Sequence, residues 1–159
     1  MNKFLFIVVL SVFLVAPAAH ATGDDTAPPL VVVVAKTSKI TSLSKAELKR
    51  AFSGEPVTAG GARLVPFNLG PAAPERVHFD RAILGMSASA VGRYWVDRRI
   101  RGGSGAPRAL PSGAYVVKVV AKFPGAIGYL PANQVTSAVK VIAIDGVSPT
   151  AAGYSLVER

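Results

Sequence analysis

The chain contains no cysteine. That absence excludes a disulfide framework, a thiolate metal site, a cysteine nucleophile and a lipid-modified cysteine. Acidic residues are scarce: nine Asp and Glu stand against eighteen Lys and Arg, for a formal net charge of +9. Histidine is scarcer, with only His20 and His78 among 159 residues. No His-x-x-x-His pair, Gly-x-Ser-x-Gly elbow or phosphate-loop motif occurs. Fifteen glycines and twelve prolines follow no period, which excludes a collagen-like or low-complexity chain. Half of the residues are hydrophobic, enough for one domain with a real core, and the length is too short for two.

The one long apolar run is at the start. Lys3 precedes Phe4–Ala16, which only Ser11 interrupts, and Ala19-His20-Ala21 has the form of an export-signal cleavage site. The run falls short of the roughly 20 residues that a membrane-spanning helix needs. Residues 1–21 therefore read as a cleaved signal peptide, 22–29 as a proline-rich flexible lead-in, 30–145 as the folded domain and 146–159 as a C-terminal tail. The expected location is the periplasm, with cleavage near Ala21 and no membrane span in the mature form. Nucleic acid is not the expected partner there. A basic surface in that compartment suits a small oxyanion, an anionic envelope surface or an acidic envelope protein.

Leu30–Ala35 is a continuous apolar run, as in a strand buried on both faces within a parallel sheet covered by helices. Ser44-Lys45-Ala46-Glu47 has capping-box spacing, and Leu43 and Leu48 occupy the two positions of a hydrophobic staple. A helix follows, with Leu48, Ala51 and Phe52 on one face and Gly54 placed to end it. Arg63–Asn68 reads as a strand. Pro74 suits the start of a helix on which Phe79, Ala82, Ile83 and Met86 share a face, closed by Gly85. Ser87 is placed to cap a helix carrying Val91, Tyr94 and Trp95, and 101–111 reads as loop. Ser112–Phe123 fits either a helix (Val116, Val119, Val120, Phe123) or a strand (Tyr115, Val117, Val119, Ala121). Ala126–Leu130 and Val139–Ile144 read as short strands. Strands alternating with helices imply an α/β layered sheet.

Catalysis is poorly supplied, and no catalytic, metal-binding or cofactor-binding residues are expected. His78 reads as a solvated helix histidine, while Asp24 and Asp25 lie in the lead-in. Glu75, Asp80 and Asp97 each lie close to an arginine, as surface ion pairs do. Two features suit an anion. One is the strand-loop-helix junction Asn68–Arg76, where free N–H groups meet a helix dipole; its candidate ligand residues are Asn68, Gly70, Ala73, Glu75 and Arg76. Pro74 removes a donor there and Glu75 adds a negative charge. The other is the group Arg93, Arg98, Arg99, Arg101 and Arg108, opposed only by Asp97.

Taken in order, these segments resemble the phosphate-type ABC-transporter substrate-binding protein family. The similarity is carried by Ile40–Ser44 leading to Leu48 and Ala51-Phe52-Ser53-Gly54, then by Arg63–Phe67. It continues in Phe79 with Ile83-Leu84-Gly85, in Tyr94-Trp95 and in Gly102–Pro107. Its most specific piece is Phe123-Pro124-Gly125-Ala126-Ile127-Gly128-Tyr129-Leu130, preceded by Val119. The resemblance implies an α/β, type 2 periplasmic-binding-protein-like single lobe, with a mixed sheet flanked by helices, and it makes Ser112–Phe123 a helix. It implies a non-enzymatic solute-binding module for phosphate or another small oxyanion, working with ABC-transporter components. The family's Arg-x-x-x-Ser-Gly-Thr phosphate stretch falls on Asn68–Arg76, which has neither that arginine nor the Ser-Gly-Thr. The alternative is a periplasmic interaction module whose lobe docks a sensor, transporter or envelope partner.

Overall fold

The computed structural model describes residues 28–156; the expected signal peptide (1–21) and residues 22–27 of the lead-in lie outside them. In chain order the elements are β1 (Leu30–Ala35), β2 (Ser42–Leu43), α1 (Lys45–Phe52), β3 (Thr58–Ala59), β4 (Ala62–Arg63) and β5 (Val65–Leu69). Then come α2 (Pro74–Phe79), a π turn (Asp80–Leu84), α3 (Ala88–Ile100), β6 (Arg108–Leu110), α4 (Gly113–Val120) and β7 (Ala126–Pro131). A 3₁₀ turn (Ala132–Gln134), β8 (Val139–Val141) and β9 (Ala143–Ile144) complete it. The main sheet has the order β6-β5-β7-β1-β8, and the α/β class with a mixed sheet flanked by helices is the observed one.

Every residue of β1 is buried, in keeping with its unbroken apolar run. The strand nevertheless runs antiparallel to both neighbours, β7 and β8. Burial on two faces removes the alternation of polar residues whatever the strand direction, so the run could not specify a parallel partner. Parallel pairing is confined to β5 with β6 and β7 in this sheet, and to the separate β2–β9 pair.

Successive residues of β7 point to opposite faces. On one face, Gly128 lets α4 approach: a Cβ there would lie 2.6 Å from Val116 Cγ1. Val116 and Val120 are fully buried against the sheet. This contact holds a β-branched segment as a helix, since tertiary packing outweighs propensity. Ser112 makes no side-chain cap, and Phe123 lies beyond the helix with 57% of its surface exposed, so both depart from the expected pattern. On the other face, Tyr129 stacks on Phe79 at 3.9 Å, and Phe52 packs 4.6 Å from Phe79. The aromatic cluster thereby ties α1 and α2 to the sheet.

The capping box is present: Glu47 N–H donates to Ser44 Oγ (3.1 Å) and Ser44 N–H donates to Glu47 Oε2 (2.8 Å). Leu43 and Leu48 are both buried. Gly54, at φ +86°, follows the helix, and a Cβ on it would meet Trp95, Arg98 and Ser104. Three readings are corrected. The loop expected at 101–111 contains β6, an edge strand with only Leu110 buried and therefore without a period-two signal. The expected tail contributes Tyr154 and Leu156 to the core. His78 is half-buried and meets the Leu156 carbonyl at 3.1 Å, because that segment returns across α2.

Replacing Ser44 with Ala is expected to cost about 1 kcal/mol in chemical denaturation. Hydrogen bonds from the Ser44 backbone and side chain hold the Glu47 carboxyl below its ordinary value of 4.5. The box therefore stabilises the fold above that pH, and its contribution fades as the pH falls through the lowered value. The difference between wild type and Ser44→Ala should shrink on acidification.

Candidate functional site

The candidate ligand stretch spans the end of β5, the loop Gly70–Ala73 and the first turn of α2. Asn68 is 2% exposed on β5. The Tyr129 hydroxyl donates to Asn68 Oδ1 (3.2 Å) and accepts from the Leu69 N–H (3.4 Å). Burial, the largest influence on that hydroxyl, raises its pKa and keeps it a donor. The loop closes with the Ala73 N–H on the Gly70 carbonyl (3.0 Å). Ala73 is the N-cap of α2 and offers no side-chain bond, while Pro74 occupies the first turn.

Arg76 is buried. Its Nε donates to Asp80 Oδ2 at 2.6 Å and its Nη1 donates to the Leu69 carbonyl at 3.2 Å. The guanidinium thus straps α2 to the end of β5. This corrects the reading of Asp80 as part of a surface pair: the two side chains are 8% and 5% exposed. The i,i+4 spacing was visible in the sequence, but the burial depends on the sheet beneath. Desolvation raises the Asp80 pKa, opposed by the charge and hydrogen bond of Arg76. Asp97 does form a surface pair, 2.7 Å from Arg101. Glu75 borders a groove of about 310 Å³ together with His78, Gln134 and Leu156.

The five candidate residues are therefore divided. Asn68 and Arg76 turn inward and join through Leu69 and Tyr129; Gly70 and Ala73 shape the loop; Glu75 lies on the groove. Tyr129 and Asp80 belong to this network and are not among the candidate ligand residues. Tyr129 carried a signal, as the tyrosine of the most specific motif, but its hydroxyl's partners lie 60 and 61 positions away.

The arginine group is also divided. Arg93, Arg99, Arg101 and Arg108 are exposed. Arg98 is not simply part of a solvated basic face. Its Nη2 donates to the Gly54 carbonyl (2.9 Å), and its side chain also reaches Tyr94 Oη and Ser104 Oγ, each at 3.4 Å. Tyr94 donates to the Ser53 carbonyl (2.8 Å). Arg98 and Tyr94 together supply the acceptor-rich end of α1 with donors, as helix C-termini require.

Several solved structures share this fold. An ABC-type phosphate transport receptor from Vibrio cholerae superposes with a TM-score of 0.63 at 16% identity, covering 79% of this chain and 49% of its own. A Clostridium perfringens protein assigned as a phosphate ABC transporter substrate-binding protein, solved with bound phosphate, gives 0.60 at 18% identity, covering 79% and 48%. PstS from Borrelia burgdorferi gives 0.57 at 14% identity, covering 79% and 50%. The chain has the fold of these binding proteins. It spans about half the length of each. No family model and no curated protein matches it. The lobe fold is thus shared with these solved structures.

Arg76→Met is expected to destabilise by about 3–5 kcal/mol, because it leaves Asp80 charged, buried and unpaired. The double replacement Arg76→Met/Asp80→Leu should recover much of that loss. A carboxyl whose folded pKa is raised favours the folded state at low pH and loses that advantage as pH rises. The Arg76→Met deficit should therefore diminish between neutral pH and about pH 4 in denaturant titrations. In the arginine group, Arg98→Gln should cost about 1–2 kcal/mol through its lost backbone contact. Arg99→Gln should leave the thermal midpoint nearly unchanged.

Proposed function

We propose that this protein is an exported, non-enzymatic solute-binding module for phosphate or another small oxyanion. The observation that carries the reading is the fold match over 79% of the chain with structures described as phosphate receptors, one of them holding phosphate. The domain read at 30–145, with Tyr154 and Leu156 packed into its core, would be the binding lobe, delivered to the periplasm by the signal read at 1–21 and serving ABC-transporter components. Among the described residues no helix is long and apolar enough to cross a membrane.

Arg76 is neutralised by Asp80 within 2.6 Å, so it contributes positioning rather than net charge. Net positive potential comes instead from Arg93, Arg99 and Arg108, with Arg101 offset by Asp97 at 2.7 Å; they lie on α3, near its C-terminal end and at the start of β6. Such a surface concentrates anions near the lobe without fixed contacts. Coordination would fall to the backbone of the loop at 70–73.

Calorimetric titration of the purified protein with phosphate, sulfate and simple carboxylates tests the reading. A saturable heat with phosphate is expected, and silence across the panel would overturn it. Replacing Arg93, Arg99, Arg101 and Arg108 together with Gln should weaken phosphate binding without lowering the thermal midpoint. The loss should be larger at low ionic strength, since exposed charges are screened over about 8 Å at physiological salt.

A further inference from the structure

Between Asp97 and Asp145 the chain has no acidic residue and seven Lys and Arg. Helix α4 lies within this stretch. Val116 and Val120 form its buried side, while Tyr115, Lys118 and Lys122 recur on its outer side at spacings of three and four residues. The Lys122 N–H donates to the Val119 carbonyl at 3.1 Å, so the last turn carries this outer side on to Phe123. Tyr115 is 51% exposed and Phe123 57%, and the Lys118 ammonium lies 5.9 Å from the centre of the Tyr115 ring.

Phe123 also borders an open groove of about 340 Å³, together with Arg63, Val65 and Phe67. The Val65 N–H donates to the Gly125 carbonyl at 2.8 Å, which holds the two chain segments side by side. Val65 is exposed as well. Three of the five exposed large hydrophobic side chains among the described residues therefore lie on α4 and the groove at its end. The charges set among them, on Lys118, Lys122 and Arg63, are all positive. Glu55 borders the next groove with Arg63 and Val65, and is engaged by Arg50 at 3.0 Å.

Exposed apolar side chains gathered in one place mark an interaction surface, and the cations select its occupant. A second copy of the chain is disfavoured, because a two-fold contact would bring two sets of these cations together. The polar groups are ammonium and guanidinium heads on flexible stems. They suit a fluid layer of anionic headgroups more than the fixed acceptors of a folded acidic partner, since the stems lie along apolar surface while the heads reach phosphate. Tyrosine and phenylalanine rings favour the boundary between headgroups and acyl chains.

We propose that the outer face of α4 and the adjoining groove form a peripheral membrane-binding surface. Tyr115 and Phe123 enter the interface of an anionic phospholipid layer, and Lys118, Lys122 and Arg63 meet its phosphates. This surface is independent of oxyanion binding and stands or falls separately from it.

Sedimentation with vesicles tests the proposal, using the processed protein purified from the periplasm. Vesicles of equimolar phosphatidylcholine and phosphatidylglycerol should carry the protein down, whereas phosphatidylcholine alone should not. Phe123→Ser should weaken that binding about tenfold. Replacing Lys118 and Lys122 together with Gln should weaken it by about tenfold or more. All three side chains are exposed, so thermal midpoints should hold. Ile100→Ser, at an exposed apolar residue of α3, should leave binding unchanged. Phe123→Trp reports the contact directly: brominated acyl chains should quench its emission, while the wild type, whose only tryptophan is the buried Trp95, should respond little. No binding to the anionic vesicles, equal binding to phosphatidylcholine, variants that bind as the wild type does, or an unquenched Phe123→Trp would overturn the proposal. So would an equal loss with Ile100→Ser, or capture of an acidic helical peptide in place of vesicles, which would assign the face to a protein partner.

Discussion

The pairing of β1 with β7 sets Val32 opposite Tyr129 and Val33 opposite Gly128, and this register organises both faces of the sheet. Gly128 admits α4 on one side, where any Cβ would displace Val116. Tyr129 anchors the Phe52–Phe79 cluster on the other. A one-residue slip would exchange the two faces, placing the tyrosine under α4 and removing the hydroxyl from β5. Because that hydroxyl contacts Asn68 and Leu69, the core register also sets the geometry at the loop where the candidate site lies.

Charge is handled in two ways. Arg76 and Asp80 are withdrawn from water and bound to one another, so their value lies in joining α2 to β5. The exposed arginines carry potential and little structure, apart from the solvent-exposed Arg101–Asp97 pair, whose energetic contribution is small. Arg98 belongs to neither group. It spends its donors on the end of α1, which makes it part of the contact between α1 and α3. Register and core packing maintain the lobe independently of the residues in the loop at 70–73.

Local interactions were legible in the residues themselves. Ser44 and Glu47 lie within one turn of helix, so their spacing alone set the cap. Pro74 restricts its own backbone, and Gly54 and Gly85 mark helix ends because few other residues accept the conformation found there. The apolar run at Leu30–Ala35 determined that β1 is buried, and the resemblance of the ordered segments to a known family implied the lobe fold that the structure has. Tertiary structure decided the rest: the antiparallel setting of β1, the short edge strand β6, the core role of Tyr154 and Leu156, and which arginines are free. Arg76–Asp80 and Arg101–Asp97 show the physical reason. Both pairs sit four residues apart on helical turns and are indistinguishable by spacing, yet one is buried and the other exposed. Spacing along the chain determines which groups meet, whereas burial, and with it charge, strength and function, depends on residues brought over them from distant parts of the chain.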